Sequence, residues 1–491
     1  MRVDQKAEGP RQSMSWLHTW ASLILGWLLY AIFVTGTLSF FQNEISTWMK
    51  PETHQSIPAQ SQVQQMQVAL NYLQKNHPDA GSWNIQLPNS RQTTTEVTIR
   101  AVGEDPKARR GGTRITLDSA TGEVIEPRDT RGGGFLYRFH FELYGLPRLW
   151  TRWLVGIATM FMLVAIVSGI IAHKKIFKDF FTFRSGKGQR SWLDAHNATA
   201  VFALPFHLMI TFSGLLLLMF MFMPWGINQA YENRQQFLRD QQASMIEQPQ
   251  KAEDVPREGE RAARGERGQQ RGEHTEGRGE EHPKPELRPA PLTDLAPIMA
   301  AVQQQWKDNP IASINIISPN TDQAKIELRA LRAESVAHRN VYATLNYNGV
   351  TGQDETDKNI RIKNPSIPSA IYNVVTVLHE ARGLDLALRW LLFCSGILGT
   401  LMVATGLILW CLKRAPQQQK QGYKSFGFRL VEVLNITAII GLPLACAAYF
   451  YANRFIPADV EMRLNWEIRS FFTVWLLTLI YAIFRTHRQA W

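Results

Sequence analysis

Six stretches of this chain carry no Lys, Arg, Asp or Glu and are dominated by apolar side chains: residues 20–41, 153–172, 198–223, 390–412, 433–452 and 471–484. A bilayer core holds no water to satisfy backbone N–H and C=O groups, so a chain that crosses it does so as helices or as a closed barrel. At 1.5 Å per residue most of these runs reach across a hydrocarbon layer of about 30 Å. The sequence therefore reads as an α-helical integral membrane protein with six transmembrane helices. The fifth run is interrupted by Asn435 and Pro443, and the sixth is short. The first run is too long for a signal-peptide core and lacks a small-residue cleavage site, so it is expected to be retained.

A formal net charge of +11 invites a nucleic-acid partner, but the placement of the basic residues argues against one. Lys174, Lys175, Lys178, Arg184, Lys187 and Arg190 lie between the second and third runs, and Lys413, Arg414, Lys420, Lys424 and Arg429 between the fourth and fifth. These are the short loops, and the positive-inside rule puts them in the cytoplasm with both termini. The expected spans are 16–41, 135–173 with its preceding amphipathic segment, 196–223, 373–412 with its preceding segment, 430–452 and 468–484. Cytoplasmic parts are 1–15, 174–195, 413–429 and 485–491. Domains at 42–134 and 224–372, with the 453–467 loop, face the periplasm of a bacterial inner membrane. Cys394, Cys411 and Cys446 all lie in apolar runs, so there is no disulfide framework and no CxxCH haem attachment. Any haem would be held non-covalently.

Each large segment reads as a helix followed by three strands. In the first these are an amphipathic helix over 62–76, then Ser82–Leu87, Glu96–Ala101 and Arg114–Leu117, closing on the turn Asp118-Ser-Ala-Thr-Gly122-Glu. In the second they are Leu295–Trp306, Ile311–Ile317, Gln323–Leu331 and Val341–Leu345, closing on Tyr347-Asn-Gly349-Val-Thr-Gly352. Residues 248–291 are rich in Arg, Glu, Gly, Pro and Gln and read as a disordered insert. The likeness extends into the membrane. His18 to Gly36 and His196 to Gly214 are both eighteen residues, and His140…Arg152-Trp153…Gly169 is echoed by His379…Arg389-Trp390…Gly406. Residues 1–412 thus read as two copies of helix, outer domain, helix, with the fifth and sixth helices outside the repeat.

Imidazole is a standard axial ligand for haem iron, and an ionisable group within a membrane helix is costly unless it has a task. Six of the twelve histidines fall into two layers: His18, His173 and His196 near the cytoplasmic boundary, and His207, His140 and His379 toward the outer side. His196 and His207 are eleven residues apart, which on one continuous helix places both on one face about 16 Å apart. His173 and His207 break the repeat, their counterparts being Trp410 and Leu29. That asymmetry favours pairing His196 with His173 or His18 in one layer, and His207 with His379 or His140 in the other. Gly36, Gly169, Gly214 and Gly406 serve close helix packing and make room for flat macrocycles.

With these residues assembled, the chain resembles the PepSY-associated transmembrane family and, within it, the membrane ferric-siderophore reductases. The resemblance rests on Trp16-Leu-His18, the two outer modules with Asp118-Ser-Ala-Thr-Gly122-Glu, Asp194-Ala-His196…Ala203-Leu-Pro-Phe-His207, and Leu378-His379-Glu…Gly406-Leu-Ile-Leu-Trp410. It covers about residues 12–412 and implies two b-type haems and reduction of Fe(III) held by a siderophore in the periplasm. With no flavin-reductase domain in the chain, the electron donor is expected to be quinol or a separate reductase. Tyr137, Arg138, Trp150 and Arg152 are candidate substrate contacts near the outer mouth. Two other functions fit the same family: a non-catalytic PepSY protein that binds peptides or regulates a protease or envelope signal, and a haem shuttle to another periplasmic acceptor.

Overall fold

The computed structural model describes residues 9–57, 61–108, 111–173, 176–180, 183–229, 231–232, 236, 245–247, 287–339, 341–358 and 361–485. The insert at 248–291, with His274 and His282, falls almost entirely outside the described residues.

The first apolar run forms two helices, α1 (Pro10–Ile24) and α2 (Gly26–Ser39), bent by 65° at Leu25. After the short α3 (Gln42–Trp48) comes α4 (Gln62–Asn76), whose Ser61 hydroxyl caps the Gln64 N–H. Strands β1 (Ser82–Gln86), β2 (Thr95–Arg100), β3 (Thr113–Leu117) and β4 (Val124–Ile125) form a meander. α5 (Gly133–Glu142) leads into the long α6 (Arg148–Ala172). The third apolar run is again a bent pair, α7 (Gln189–Phe202) and α8 (Leu204–Leu217), at 67°. The second large segment likewise has a helix followed by strands, α9 (Leu295–Trp306), β5 (Ile311–Ile317), β6 (Lys325–Ala330) and β7 (Thr344–Asn348). Then follow α10 (Ile367–Glu380) and α11 (Leu386–Gln421). Last come α12 (Phe426–Asn435), a π-helical turn (Ile436–Gly441), α13 (Leu442–Phe455) and α14 (Arg463–Phe484).

Among the described residues four helices are long and apolar enough to cross a bilayer, and the count reaches six if each bent pair is one span. This is a multi-pass membrane protein. The bends change one expectation: His196 and His207 stand on opposite sides of the break at Ala203 and so do not share a face of one straight helix. Pro205 is the physical cause, because it has no N–H for the carbonyl four residues back and its ring crowds that carbonyl. The first bend falls at the same distance from its histidine, seven residues after His18, without a proline; Gly26 there lies against Leu407.

The two sheet-forming segments meet in one sheet. Their first strands pair edge to edge, Asn84 opposite Asn315, giving one antiparallel sheet in the order β4-β3-β2-β1-β5-β6-β7. An open strand edge leaves a row of backbone groups unpaired, and joining two edges satisfies both. Met66, Leu70 and Leu73 of α4 and Ile298, Met299 and Val302 of α9 cover one face, burying Trp83, Ile85, Ile314 and Leu328.

Ionic contacts fasten the sheet unit to the bundle. Glu44 accepts a bidentate bond from Arg91, both N···O distances 2.9 Å, and also pairs with Arg389 at the start of α11. Arg339 pairs with Glu380 at 3.0 Å, and Arg128 with Glu52 at 2.7 Å. The fifth and sixth helices lie beside α2 and α5: Trp27 Nε1 donates to Asn435 Oδ1 at 2.8 Å, and Phe135 and Phe139 pack on Phe471. Arg463 and Glu467 form an ion pair buried to 1% and 0% exposure, with Asn453 and Thr130 donating to the same carboxylate.

Candidate functional site

Four of the six singled-out histidines meet in two facing pairs. His18 on α1 and His196 on α7 have ring centroids 6.3 Å apart, inclined at 63°. His140 on α5 and His379 on α10 have centroids 6.1 Å apart, inclined at 45°. The members of each pair stand at positions with matching spacings in the sequence: His18 to Gly36 is eighteen residues, as is His196 to Gly214.

All four rings are held in one way. His18 Nδ1 lies 2.8 Å from the Ala165 carbonyl, His196 Nδ1 2.9 Å from that of Met402, and His140 Nδ1 2.8 Å from that of Ile32. Since a carbonyl only accepts, each Nδ1 carries the proton and donates it, which leaves the Nε2 lone pair available. His379 Nδ1 is 2.6 Å from Ser213 Oγ, whose own hydroxyl donates to the Met209 carbonyl at 2.7 Å, so His379 has the same tautomer. Each ring also lies over a glycine of the helix beside it. A Cβ on Gly36 would stand 2.6 Å from His140, on Gly169 3.1 Å from His18, on Gly406 3.2 Å from His196 and on Gly214 3.5 Å from His379. The glycines seen in the sequence are therefore the seats of the imidazoles.

This arrangement suits a metal held between two rings. Imidazole nitrogen binds a transition metal at about 2 Å, so rings on opposite sides of one ion have centres roughly 6 Å apart. Among the described residues no cluster of three or more His, Cys, Asp or Glu could hold a bare metal ion. A planar macrocycle that supplies the remaining ligands needs only the two axial nitrogens each pair offers.

The His140–His379 pair opens on a cavity of about 540 Å3 on the side of the bundle facing the sheet. That volume falls within the range of small-molecule and cofactor pockets. Its deep wall is apolar, from Leu29, Ile32, Phe33, Val155, Met162 and Phe206, and its mouth carries Arg91, Arg152, Arg382 and Tyr137. Of the sequence-picked contacts, Tyr137 and Arg152 line this cavity, whereas Arg138 is exposed and outside its lining, and Trp150 is 73% exposed at the start of α6.

His207 and His173 join neither pair. His207 is fully buried, its ring edge-on to Phe33 with centroids 6.3 Å apart, and neither ring nitrogen has a hydrogen-bond partner. His173 Nε2 receives Asn197 Nδ2 at 3.2 Å. Of the partners the sequence left open for His196, His18 is the one whose ring lies beside it, and the ring beside His379 is that of His140 rather than His207. The sequence reading also missed Arg91, Arg382 and Glu44. Their only sequence signal was charge in segments expected at the outer boundary, which by itself selects no partner.

A family model described as the PepSY-associated TM region matches residues 15–413. The chain belongs to this family. No curated protein matches it. The match begins within α1, covers both bends, both imidazole pairs and the whole seven-stranded sheet, and ends within α11, so α12 to α14 lie beyond it.

Proposed function

We propose that this protein carries electrons across the inner membrane through two non-covalently held b-type haems. One would be ligated by His18 and His196, the other by His140 and His379. The observation that carries this reading is the fourfold recurrence of one device: an imidazole seated on a glycine, its Nδ1–H tied to the neighbouring helix, its ring centre 6.1–6.3 Å from that of a second imidazole. A merely structural histidine needs no facing twin. The recurrence in both halves supports descent from an internal duplication, with two PepSY-like modules fused into the outer sheet.

Held by His18 with His196 and by His140 with His379, the haems would supply one-electron redox chemistry. The chain's own residues do the rest. Ala165, Met402, Ile32 and Ser213 orient the rings and fix their tautomers, and the outer shell of a ligand is what tunes its basicity. The apolar wall around Phe33 and Met162 keeps water from the middle of the path. By the positive-inside rule the basic loops mark the cytoplasmic side, so the sheet and the arginine-lined mouth face the periplasm.

The acceptor we propose is a ferric siderophore. Hard oxygen donors hold Fe(III) far more tightly than the softer Fe(II), so one electron passed to the chelate releases the metal for uptake. Quinol or a separate reductase supplies the electron from the other side. The test is an oxidised-minus-reduced visible spectrum of the detergent-purified protein with haem quantified per chain, followed by addition of ferric siderophore. The expected result is two low-spin haems, reoxidised on addition. A colourless protein from haem-replete cells overturns the reading in favour of a peptide-binding or sensing PepSY protein. Loaded haems that ferric siderophores leave reduced favour a shuttle to another acceptor.

A further inference from the structure

The cavity beside His140 and His379 is not uniformly apolar. Its lining includes three arginines and one glutamate, Arg91, Arg152, Arg382 and Glu380, all at the mouth, while the deep wall carries no charge. The arginines come from three separate places: the loop after β1, the first turns of α6, and the turn after α10. Arg152 is paired with Glu142 through Nη2, but its Nε–H is buried with no acceptor. A buried donor without an acceptor is costly, which points to a missing oxygen. Arg382 lies over the Tyr137 ring at 5.9 Å, donates from Nη2 to the Tyr137 hydroxyl at 3.4 Å and stands 3.6 Å from Glu380, with its side chain 60% exposed on the rim of the cavity. Tyr137 adds a hydroxyl on the same rim.

We propose that this mouth is a carboxylate-recognition site, in which Arg152 and Arg382, with Tyr137, bind the two acid groups of the macrocycle seated between His140 and His379. This rests on the haem reading above and deepens it. A flat dicarboxylate placed with its acid edge deep in the cavity would bury two charges against Leu29, Ile32 and Met162. Placed with its acid edge outward it meets guanidinium groups, which match carboxylates in charge and in fork geometry. The macrocycle thus enters one way round. Its charged edge then lies beside Arg91, which the sheet unit itself contributes.

The test separates this site from the other pair by working in a His196→Ala background. Apoprotein in detergent is titrated with haem and with haem dimethyl ester, whose acid groups are blocked, and binding is read from the Soret band. The expected result is a preference for free haem of about tenfold or more, the scale of one charge-assisted hydrogen bond. In R152Q/R382Q that preference falls to near one, with the ester bound as in the parent, which shows the pocket intact. Equal affinity of the parent for both ligands overturns the carboxylate site. Equal loss of both ligands in R152Q/R382Q also overturns it and makes the arginines structural. Failure of the unmutated protein to bind either ligand overturns the haem reading itself, a distinct outcome.

Discussion

The two imidazole pairs share a local design and differ in what surrounds them. Both use a ring over a glycine and an anchored Nδ1. The His140–His379 pair sits on short helices before α6 and α11, opens on a large cavity, and has the arginine-lined mouth and the sheet unit above it. The His18–His196 pair sits at the start of the bent helices, next to the short basic loops and His173. One scaffold used twice therefore has two different neighbourhoods. The seating of each ring is set by a few local contacts, whereas access to it is set by the end of the bundle on which the pair falls.

The strongest way to break this comparison is to remove one ring at a time. Either H140A or H379A should cost about one haem of two and leave the other pair's spectrum, and H18A or H196A should do the converse. Doubling the mutation within a pair should cost no more than the single, and one mutation in each pair should leave no haem. Loss of both haems from any single variant would show that the pairs are not independent sites.

The glycines sharpen it next. Because an added Cβ would meet His140 at 2.6 Å but His379 only at 3.5 Å, G36A should displace the ring and lose most of one haem, while G214A should stay near wild type. G169A and G406A, at 3.1 and 3.2 Å, fall between, and a midpoint-potential titration would rank them. An inverted order would refute the seating role.

A smaller effect is expected at His207. Replacing it with leucine, the residue at the repeat-related position 29, removes two buried nitrogens that have no partner and leaves nothing newly unsatisfied. H207L should keep both haems with a melting temperature equal to or above the parent's. Loss of a haem would restore His207 as a ligand.

The smallest effect concerns pH at the junction present only on the sheet side. Burial raises the Glu44 carboxyl, but hydrogen bonds from Arg91 and Arg389 outweigh it and hold the group below the usual carboxylate range. A lowered folded-state value contributes stability that is present above about pH 4.5 and lost as pH falls through the lowered value. Limited proteolysis of the sheet unit should therefore accelerate as pH drops below the carboxylate range, and E44Q should show a flatter profile. Identical profiles would mean the Glu44 bridge does not hold the junction.

Much of this was legible in the chain. Apolar runs without charge expose the spans, because a bilayer excludes unpaired backbone and charge over a fixed thickness. Period-two strands closing on Asp118-Ser-Ala-Thr-Gly122 and Tyr347-Asn-Gly349 expose the small sheets, because turn chemistry is local. The repeated spacings of His18 to Gly36 and His196 to Gly214 expose the scaffold, although the glycine that seats each ring lies on a different helix from it. Uniqueness in the sequence drew weight to His173 and His207, whereas the rings that lie beside one another are those at matching spacings, His18 with His196 and His140 with His379.

What the sequence determined by itself was thus everything carried by one segment at a time: the spans, the strands, the matching spacings and the set of histidines within reach of the membrane. Which imidazole faces which was decided only in three dimensions, since it depends on two bends of 65° and 67° and on helices packing against partners more than a hundred residues away. The fusion of two modules through Asn84 and Asn315, and the convergence of Arg91, Arg152 and Arg382 on one mouth, have the same origin. Helix propensity and hydropathy act along the chain, but a site is made where distant segments are forced together, and no local signal encodes that meeting.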